Sequence, residues 1–494
     1  MLRRPTGRCG NILRIHLNAR SLNMSESKYE SIIQNGLPNT TKPSKVVIVG
    51  AGMAGLVAGY ELMRAGHDVT ILEAKGHVGG RVQTIRSPFE AGLHAEAGAM
   101  RIPSAHGLTM GYTNKFGLKL IPFTMNNPKA WYYVGGKKHR ISESLTDINC
   151  LGFDLQPDEC NMTAKQHWHA ALKPIMDMIA AQGDAAWPAI IKQYDHFSTR
   201  EFLLNNGWSE GAIEMFGVLE NLESRMSASF VEVLLAELGH AFTDMSQIEG
   251  GMDLLPQAFL PALRGRIRFG AMLTAIDQSP KDVTIYYNTG GGKRQIQADY
   301  AIVTVPFSVL RHVEILKPFS REKQRAIREL HYDASAKILF QCRRRFWEED
   351  DGIFGGGSMT DLPVRSVYYP DHGRETGRGV LVASYSWAED AQRWGSLSHA
   401  DRVSQALEDV SMIHPQVNEE FEIGTSKMWH EDEFACGAFA LFEPGQNLQL
   451  HKHIISAEGR VHFAGEHCSL VHRWIQGSIE SALRVASEIN AGAC

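Results

Sequence analysis

Three glycines, one acid and one lysine are the residues here whose types and spacing could do chemistry. Gly50-Ala51-Gly52-Met53-Ala54-Gly55 is followed, about twenty positions on, by Glu73. In such a pattern Gly50 permits a tight turn, Gly52 lets the backbone approach a pyrophosphate, and Gly55 lets a helix pack closely on strands. Glu73 then stands where a carboxylate can accept hydrogen bonds from both ribose hydroxyls of a dinucleotide. The six residues alone are a glycine-rich turn as readily as a phosphate cradle, so their setting has to decide. Gly79-Gly80-Arg81 comes next, and a dinucleotide site for NAD has no need of a second glycine pair and a cation directly after the ribose carboxylate. Lys337 lies within Ala336-Lys337-Ile338-Leu339-Phe340, where an ammonium must pair or act, because burying it alone is costly.

The elements these residues need are legible around them. Val46-Val47-Ile48-Val49 reads as a buried strand running into the glycines; Leu56, Ala58 and Leu62 mark one face of a helix, and Val69-Thr70-Ile71-Leu72 a second strand ending at Glu73. Further strands are predicted at 267–269, 273–276 and 301–306, with a hairpin from 283–287 through a polar Asn-Thr-Gly-Gly-Gly turn. Strands at 336–340, 365–370 and 380–387 carry Lys337, Tyr368 and Tyr385, and most tyrosines at such spacing are simply half-buried strand residues. Between 141 and 240 the period is helical, with stripes Trp168, Leu172, Ile175, Met176, Ile179 and Phe230, Val231, Leu234, Leu235, Leu238 that read as core. Val403, Leu407, Val410 and Ile413 form another core stripe. A strand at 461–463 leads toward a helix at Gly477-Ser478.

Composition narrows the class. The chain has 494 residues, 44% hydrophobic and 21% charged, which is enough for two or three globular domains. A net charge of −5 leaves no basic excess for phosphate neutralisation, so nucleic acid is not an expected partner. No apolar run is long enough to span a membrane. Seven cysteines without a CxxC, among them Cys150 and Cys160, are expected to be free thiols. No His or Cys ligand spacing points to a metal, and His451 and His453 read as a solvated strand face. Residues 1–23 hold five arginines and no acid, which fits an organellar transit peptide, a flexible arm, or sequence upstream of a start at Met24. The compartment stays open between cytoplasm and organelle, without a secretory signal.

Together the motifs resemble the flavin amine oxidase family, in its L-amino-acid oxidase branch, over residues 43–490. The resemblance implies an α/β (mixed α+β) fold of glutathione-reductase-like architecture: a Rossmann-like FAD-binding domain, a mixed-sheet substrate-binding domain and a helical insertion. It divides the chain into an arm over 1–42, disordered or targeting; a discontinuous FAD-binding domain at 43–85, 250–330 and 455–490; a substrate-binding domain at 86–140 and 331–454; and a helical domain at 141–249. FAD would meet Gly50, Gly52, Met53, Ala54, Gly55, Glu73, Ala74, Gly80 and Arg81 at its nucleotide end. The segment Gly98-Ala99-Met100-Arg101 would line the flavin, Leu273 the adenine, and Trp429 the underside of the ring. Gly465 and Glu466 would meet the ribityl chain, with Trp474, Ile475 and Ser478 beside the isoalloxazine. Ala438 stands where monoamine oxidases carry the cysteine that bonds to flavin, so the FAD is expected to be non-covalent. The chain also ends after its last helix without the apolar anchor of those enzymes.

For the substrate, the resemblance assigns Arg101 to the carboxylate, since a guanidinium makes two parallel hydrogen bonds that fix its orientation. Tyr368 and Tyr385 would contact the substrate, although the chain has an extra residue near Ser384 relative to the family pattern. A backbone carbonyl near Arg473 would take the amine, Trp474 would wall the site, and Lys337 would hold a water at flavin N5. Venom relatives place a histidine in the helical block where this chain has Ala236, and His240 is not an obvious replacement. The expected reaction is oxidative deamination of an L-amino acid to a 2-oxo acid, ammonia and hydrogen peroxide, in a homo-oligomer. A soluble mono- or polyamine oxidase shares nearly every flavin motif, and a flavin-binding interaction protein with a silent site would share the fold.

Overall fold

The computed structural model describes residues 20–238, 242 and 244–492. The glycine motif opens a five-stranded parallel sheet, ordered Ile267–Arg268, Asp68–Leu72, Lys45–Val49, Tyr300–Val303, Val461–Phe463. Its strands come from widely separated parts of the chain, and both faces are covered, which is why Val46 to Val49 is an unbroken apolar run. Val46, Ile48, Ile71 and Ile302 face the helices Met53–Arg64 and Ile475–Asn490. Val47, Val49, Leu72 and Val303 face away from them, onto Ile276, Ile285 and Ile296. Those three belong to the antiparallel strands Met272–Gln278, Val283–Thr289 and Gly292–Ala298 of a second sheet, the last two joined by the expected glycine turn. Where an arm was expected over 1–42, a helix runs Arg20–Asn35, and Ile32, Ile33 and Leu37 are buried in the first of these cores.

A seven-stranded mixed sheet forms the second layer, ordered Phe421–Met428, Ser335–Cys342, Gly379–Trp387, Ser366–Tyr368, Gly357–Thr360, Trp131–Val134, Lys137–Arg140. Strand alternation sends Ala336, Ile338, Phe340, Leu381 and Ala383 to one face, where the helix His399–Ile413 supplies Ala406, Val410 and Ile413. Leu339, Val380, Val382, Tyr368 and Tyr385 pack on the other. Plain alternation would put Tyr385 on the face of Ala383, opposite to Val382. The pairing shows why it does not: Leu339 faces Val382 and Ile338 faces Ser384, leaving Ala383 as the extra residue of a β-bulge. Tyr385 therefore lies directly across from Lys337.

The stretch from Ile141 to Leu238 is helical around its own core, with Trp168, Leu172, Ile175 and Ile179 of Ala164–Gln182 against Phe202, Phe216 and Phe230. His451 and His453 correct one expectation: they belong to the helix Gln446–Ile455, not to a strand. Its apolar Leu450 and Ile454 are four apart and both buried, the spacing of one helix face. Cys150, Cys160, Cys342, Cys436 and Cys468 are free thiols. Among the described residues no helix is long and apolar enough to cross a membrane, and no group of three or more His, Cys, Asp or Glu could hold a metal ion.

Candidate active site

One cavity of about 740 Å³ runs from the glycine turn to the helical block. Of the residues singled out from sequence, all but Gly55 line it. Gly55 acts behind the wall: a Cβ there would meet the Gly50 carbonyl oxygen at 1.9 Å, so only glycine allows the helix this close. Gly50 has φ +106°, and a Cβ on it would meet Thr304 Oγ1 at 2.5 Å. At Gly52 a Cβ would meet no protein atom within 4 Å, so the space over that backbone belongs to the cavity.

Two helix N-termini open onto the same space. Met53 and Ala54 begin one helix and Ile475 the other, with Ser478 in its first turn; neither start has a side-chain cap or an acidic residue. Their free amides and dipole ends favour an anion or a polar ligand. Glu73, buried, accepts from the Ala51 amide at 2.7 Å through Oε2 and from the Lys75 amide at 2.8 Å through Oε1. A carboxylate has room for about four donors, so two hydroxyls can still be accepted. Ala271 N–H donates to the Glu73 carbonyl at 2.8 Å, which brings Leu273 to the same end with Ala74 and Gly80. A pyrophosphate-linked dinucleotide fits this donor and acceptor set.

Arg81 donates through Nη1 to the Ala438 carbonyl at 2.9 Å and to Glu466 Oε1 at 2.8 Å. Glu466 also accepts from the Ala440 and Arg473 amides, at 3.1 Å each, so its oxygens are largely engaged by protein. Burial pushes its carboxyl up, but Arg81 first and then His472 outweigh that and hold it below its usual range. Gly465 has φ +143°, and Arg473 sits in the left-handed region at φ +73°, a conformation costly for a non-glycine residue. Trp429 donates its indole N–H to the Ala97 carbonyl at 2.8 Å, fixing the backbone that carries Gly98, Ala99 and Met100.

Lys337 is buried and donates to the Glu96 and Gly98 carbonyls at 3.0 and 2.8 Å, with Met100 Sδ at 3.4 Å. Its Nζ lies 4.5 Å from the centroid of the Tyr385 ring. Burial drives the amine toward its neutral form, Glu96 opposing and Arg101 reinforcing that shift. Tyr385 is held protonated, chiefly by burial. Among the described residues Arg101 makes no ion pair, its Nη1 is buried without a hydrogen-bond partner, and Phe123, Tyr368 and Phe242 surround its guanidinium at 5.6, 5.8 and 5.9 Å. Trp474 meets His106 edge-to-face at 5.0 Å and Phe242 at 5.9 Å.

Sequence reading missed Arg225 and Trp387, which also line the cavity, because a turn arginine and a strand-end tryptophan carry no motif. Ala236 lines it as well; His240 lies outside the described residues.

The profile described as "Flavin containing amine oxidoreductase" matches residues 53–490. YobN of Bacillus subtilis (strain 168) is 42% identical, over 93% of this chain and 97% of its own. The L-amino-acid oxidase BmooLAAO-I of Bothrops moojeni is 36% identical, over 94% of each chain. Among solved structures, putrescine oxidase bound to putrescine superposes with a TM-score of 0.73 at 21% identity, over 91% of this chain and 99% of that one.

Proposed function

The chain belongs to the flavin-containing amine oxidoreductase family, and on that premise we propose that it is an FAD-dependent L-amino-acid oxidase releasing a 2-oxo acid, ammonia and hydrogen peroxide. The observation that carries the substrate class is Arg101. A half-buried guanidinium without a protein carboxylate, ringed by aromatics, is a binding site for the α-carboxylate of a substrate. The protonated Tyr385 hydroxyl adds a donor beside it.

FAD would be held by Glu73 and the two helix N-termini, with Gly98 to Met100 along the flavin, and when bound it supplies the acceptor for the hydride from Cα and the route of electrons to dioxygen. This chain's residues contribute orientation. Arg101 and Tyr385 fix the carboxylate, Trp474 limits rotation of the side chain, and a backbone carbonyl near the strained Arg473 receives the amine. Lys337 has a proton role of its own. Its Nζ is oriented by the Glu96 and Gly98 carbonyls and by Met100 Sδ, and burial, which favours the neutral amine, would let it position a water in the cavity. Rate enhancement then comes mainly from holding Cα in a reactive orientation. The cofactor is non-covalent, with Ala438 in place of a cysteine, and acid precipitation should leave the yellow colour in the supernatant. Self-association to a homo-oligomer is part of the same reading, tested by sedimentation.

A peroxide-coupled assay comparing each L-amino acid with its decarboxylated amine tests the proposal. Turnover of the acids and not the amines is expected. Turnover of the amines alone would transfer the protein to the amine oxidases and leave Arg101 a structural residue.

A further inference from the structure

Among the described residues, Arg101 is one of three arginines that line the cavity with a buried nitrogen lacking a hydrogen-bond partner; the others are Arg225 and Arg473, each through Nε. The α-carboxylate accounts for the first, so any role for the other two in substrate choice rests on that amino-acid reading. Arg225 closes a turn laced onto the strand that bears Tyr385. Asn221 Nδ2 donates to the Tyr385 carbonyl at 3.2 Å, Ser224 Oγ donates to the Trp387 carbonyl at 3.1 Å, and Glu223 pairs with Arg365. The Arg225 guanidinium lies over the Trp387 ring at 4.7 Å.

The carboxylate nearest Arg225 is Asp333, at 3.8 Å, too far for a hydrogen bond. Asp333 is fully buried and does not line the cavity, so it balances charge from behind while the Arg225 donors stay available. Between Arg101 and Arg225 runs a row of rings: Tyr368 is 5.8 Å from Arg101, Tyr385 is 6.1 Å from Tyr368, and Trp387 is 4.3 Å from Tyr385. An apolar side chain lying along this row would leave the Arg225 and Arg473 donors desolvated and unpaired, which is costly, whereas oxygen acceptors would satisfy them.

We propose that Arg225, backed by Asp333 and joined by Arg473, is the side-chain subsite of this oxidase, and that it selects L-amino acids whose side chain ends in a carboxylate or carboxamide. The test is a peroxide-coupled comparison of L-glutamate, L-glutamine, L-leucine and L-phenylalanine on the holoenzyme and on Arg225→Met/Asp333→Leu. That double variant removes both charges together and leaves no lone buried ion. In the native enzyme kcat/KM for glutamate or glutamine should exceed that for leucine by about tenfold or more, and in the variant this ratio should fall by about 10- to 100-fold. Glutamate above glutamine identifies the carboxylate, and the reverse order identifies the carboxamide. Preference of the native enzyme for leucine or phenylalanine, or an equal loss for all four in the variant, overturns the subsite. Peroxide from leucine alone defeats this inference and leaves the oxidase intact; no peroxide from any amino acid defeats both. Glutarate binding by calorimetry, expected for the native protein and lost in the variant, gives a readout apart from turnover. Should the double variant not fold, Arg225→Lys keeps the charge but not the planar fork, and a rise in KM for glutamate of about tenfold is expected, an unchanged value counting against the subsite.

Discussion

Arg101 and Lys337 show how one cavity gives two cations different work. Arg101 keeps an unpartnered donor and faces rings; Lys337 is tied to two backbone carbonyls and pushed toward its neutral form by burial. Substituting Arg101→Ala should raise KM for amino acids by about 10- to 100-fold, the scale of a lost charged hydrogen-bond pair, in steady-state peroxide assays. An unchanged KM would remove Arg101 from substrate binding. Sequence singled out Arg101 through the family resemblance and Lys337 also as a cation inside an apolar strand. Arg225 could not be singled out in either way, since its significance comes from Trp387 and Asp333, more than 100 positions away.

At the scale of elements, the strand, glycine turn and helix at 45–64 hold the site by how closely backbones approach. Gly52 and Gly55 make opposite predictions from the same substitution. In Gly55→Ala the new methyl meets the Gly50 carbonyl oxygen, so the thermal midpoint of the apoprotein should drop, by overpacking worth about 1–3 kcal/mol or more. In Gly52→Ala the methyl enters open cavity, so the apoprotein should melt as the native one does while FAD binds more weakly in a fluorescence titration. A destabilised Gly52→Ala apoprotein, or one with native FAD affinity, would contradict this placement. The bulge at Ala383 is the other decisive element. The extra residue near Ser384 was legible as an excess over the family pattern, but only pairing shows that Ala383 absorbs it and keeps Tyr385 across from Lys337.

Across the whole molecule, packing the sheets, a helical block and their connections together has left several histidines buried. Burial pulls His106 down to about 4 and His467 down to about 3, and among the described residues both His467 ring nitrogens lack partners. These groups stay neutral in the folded chain but take up protons when it unfolds below about pH 6.5. Unfolding therefore gains protons as pH falls, and each histidine should remove about 1.4 kcal/mol of stability per pH unit between 6.5 and its folded value. Thermal melts should show a lower midpoint at pH 5 than at pH 7.5, and His467→Phe, set among Phe307 and Tyr332, should flatten that dependence. A slope equal to the native one would show that His467 is not held neutral.

The amino-acid sequence by itself determined the nucleotide half of this protein. A turn that needs glycine, a helix that needs a period and a strand that must be apolar on both faces are local requirements, so Gly50 to Glu73 and the strands around them are written in adjacent residues. The tertiary structure decided how the substrate half is completed: the family resemblance pointed to Arg101, Tyr368, Tyr385, Arg473 and Trp474, and only the fold adds Arg225 and Trp387 to the same wall. Which residues face one cavity there depends on a bulge, on a turn laced to a distant strand and on helix packing, and a pocket assembled from segments hundreds of residues apart leaves no local period to read. His451 and His453 show the same limit on a small scale, since two alternating polar residues fit a strand until the helix Gln446–Ile455 buries Leu450 and Ile454 beside them.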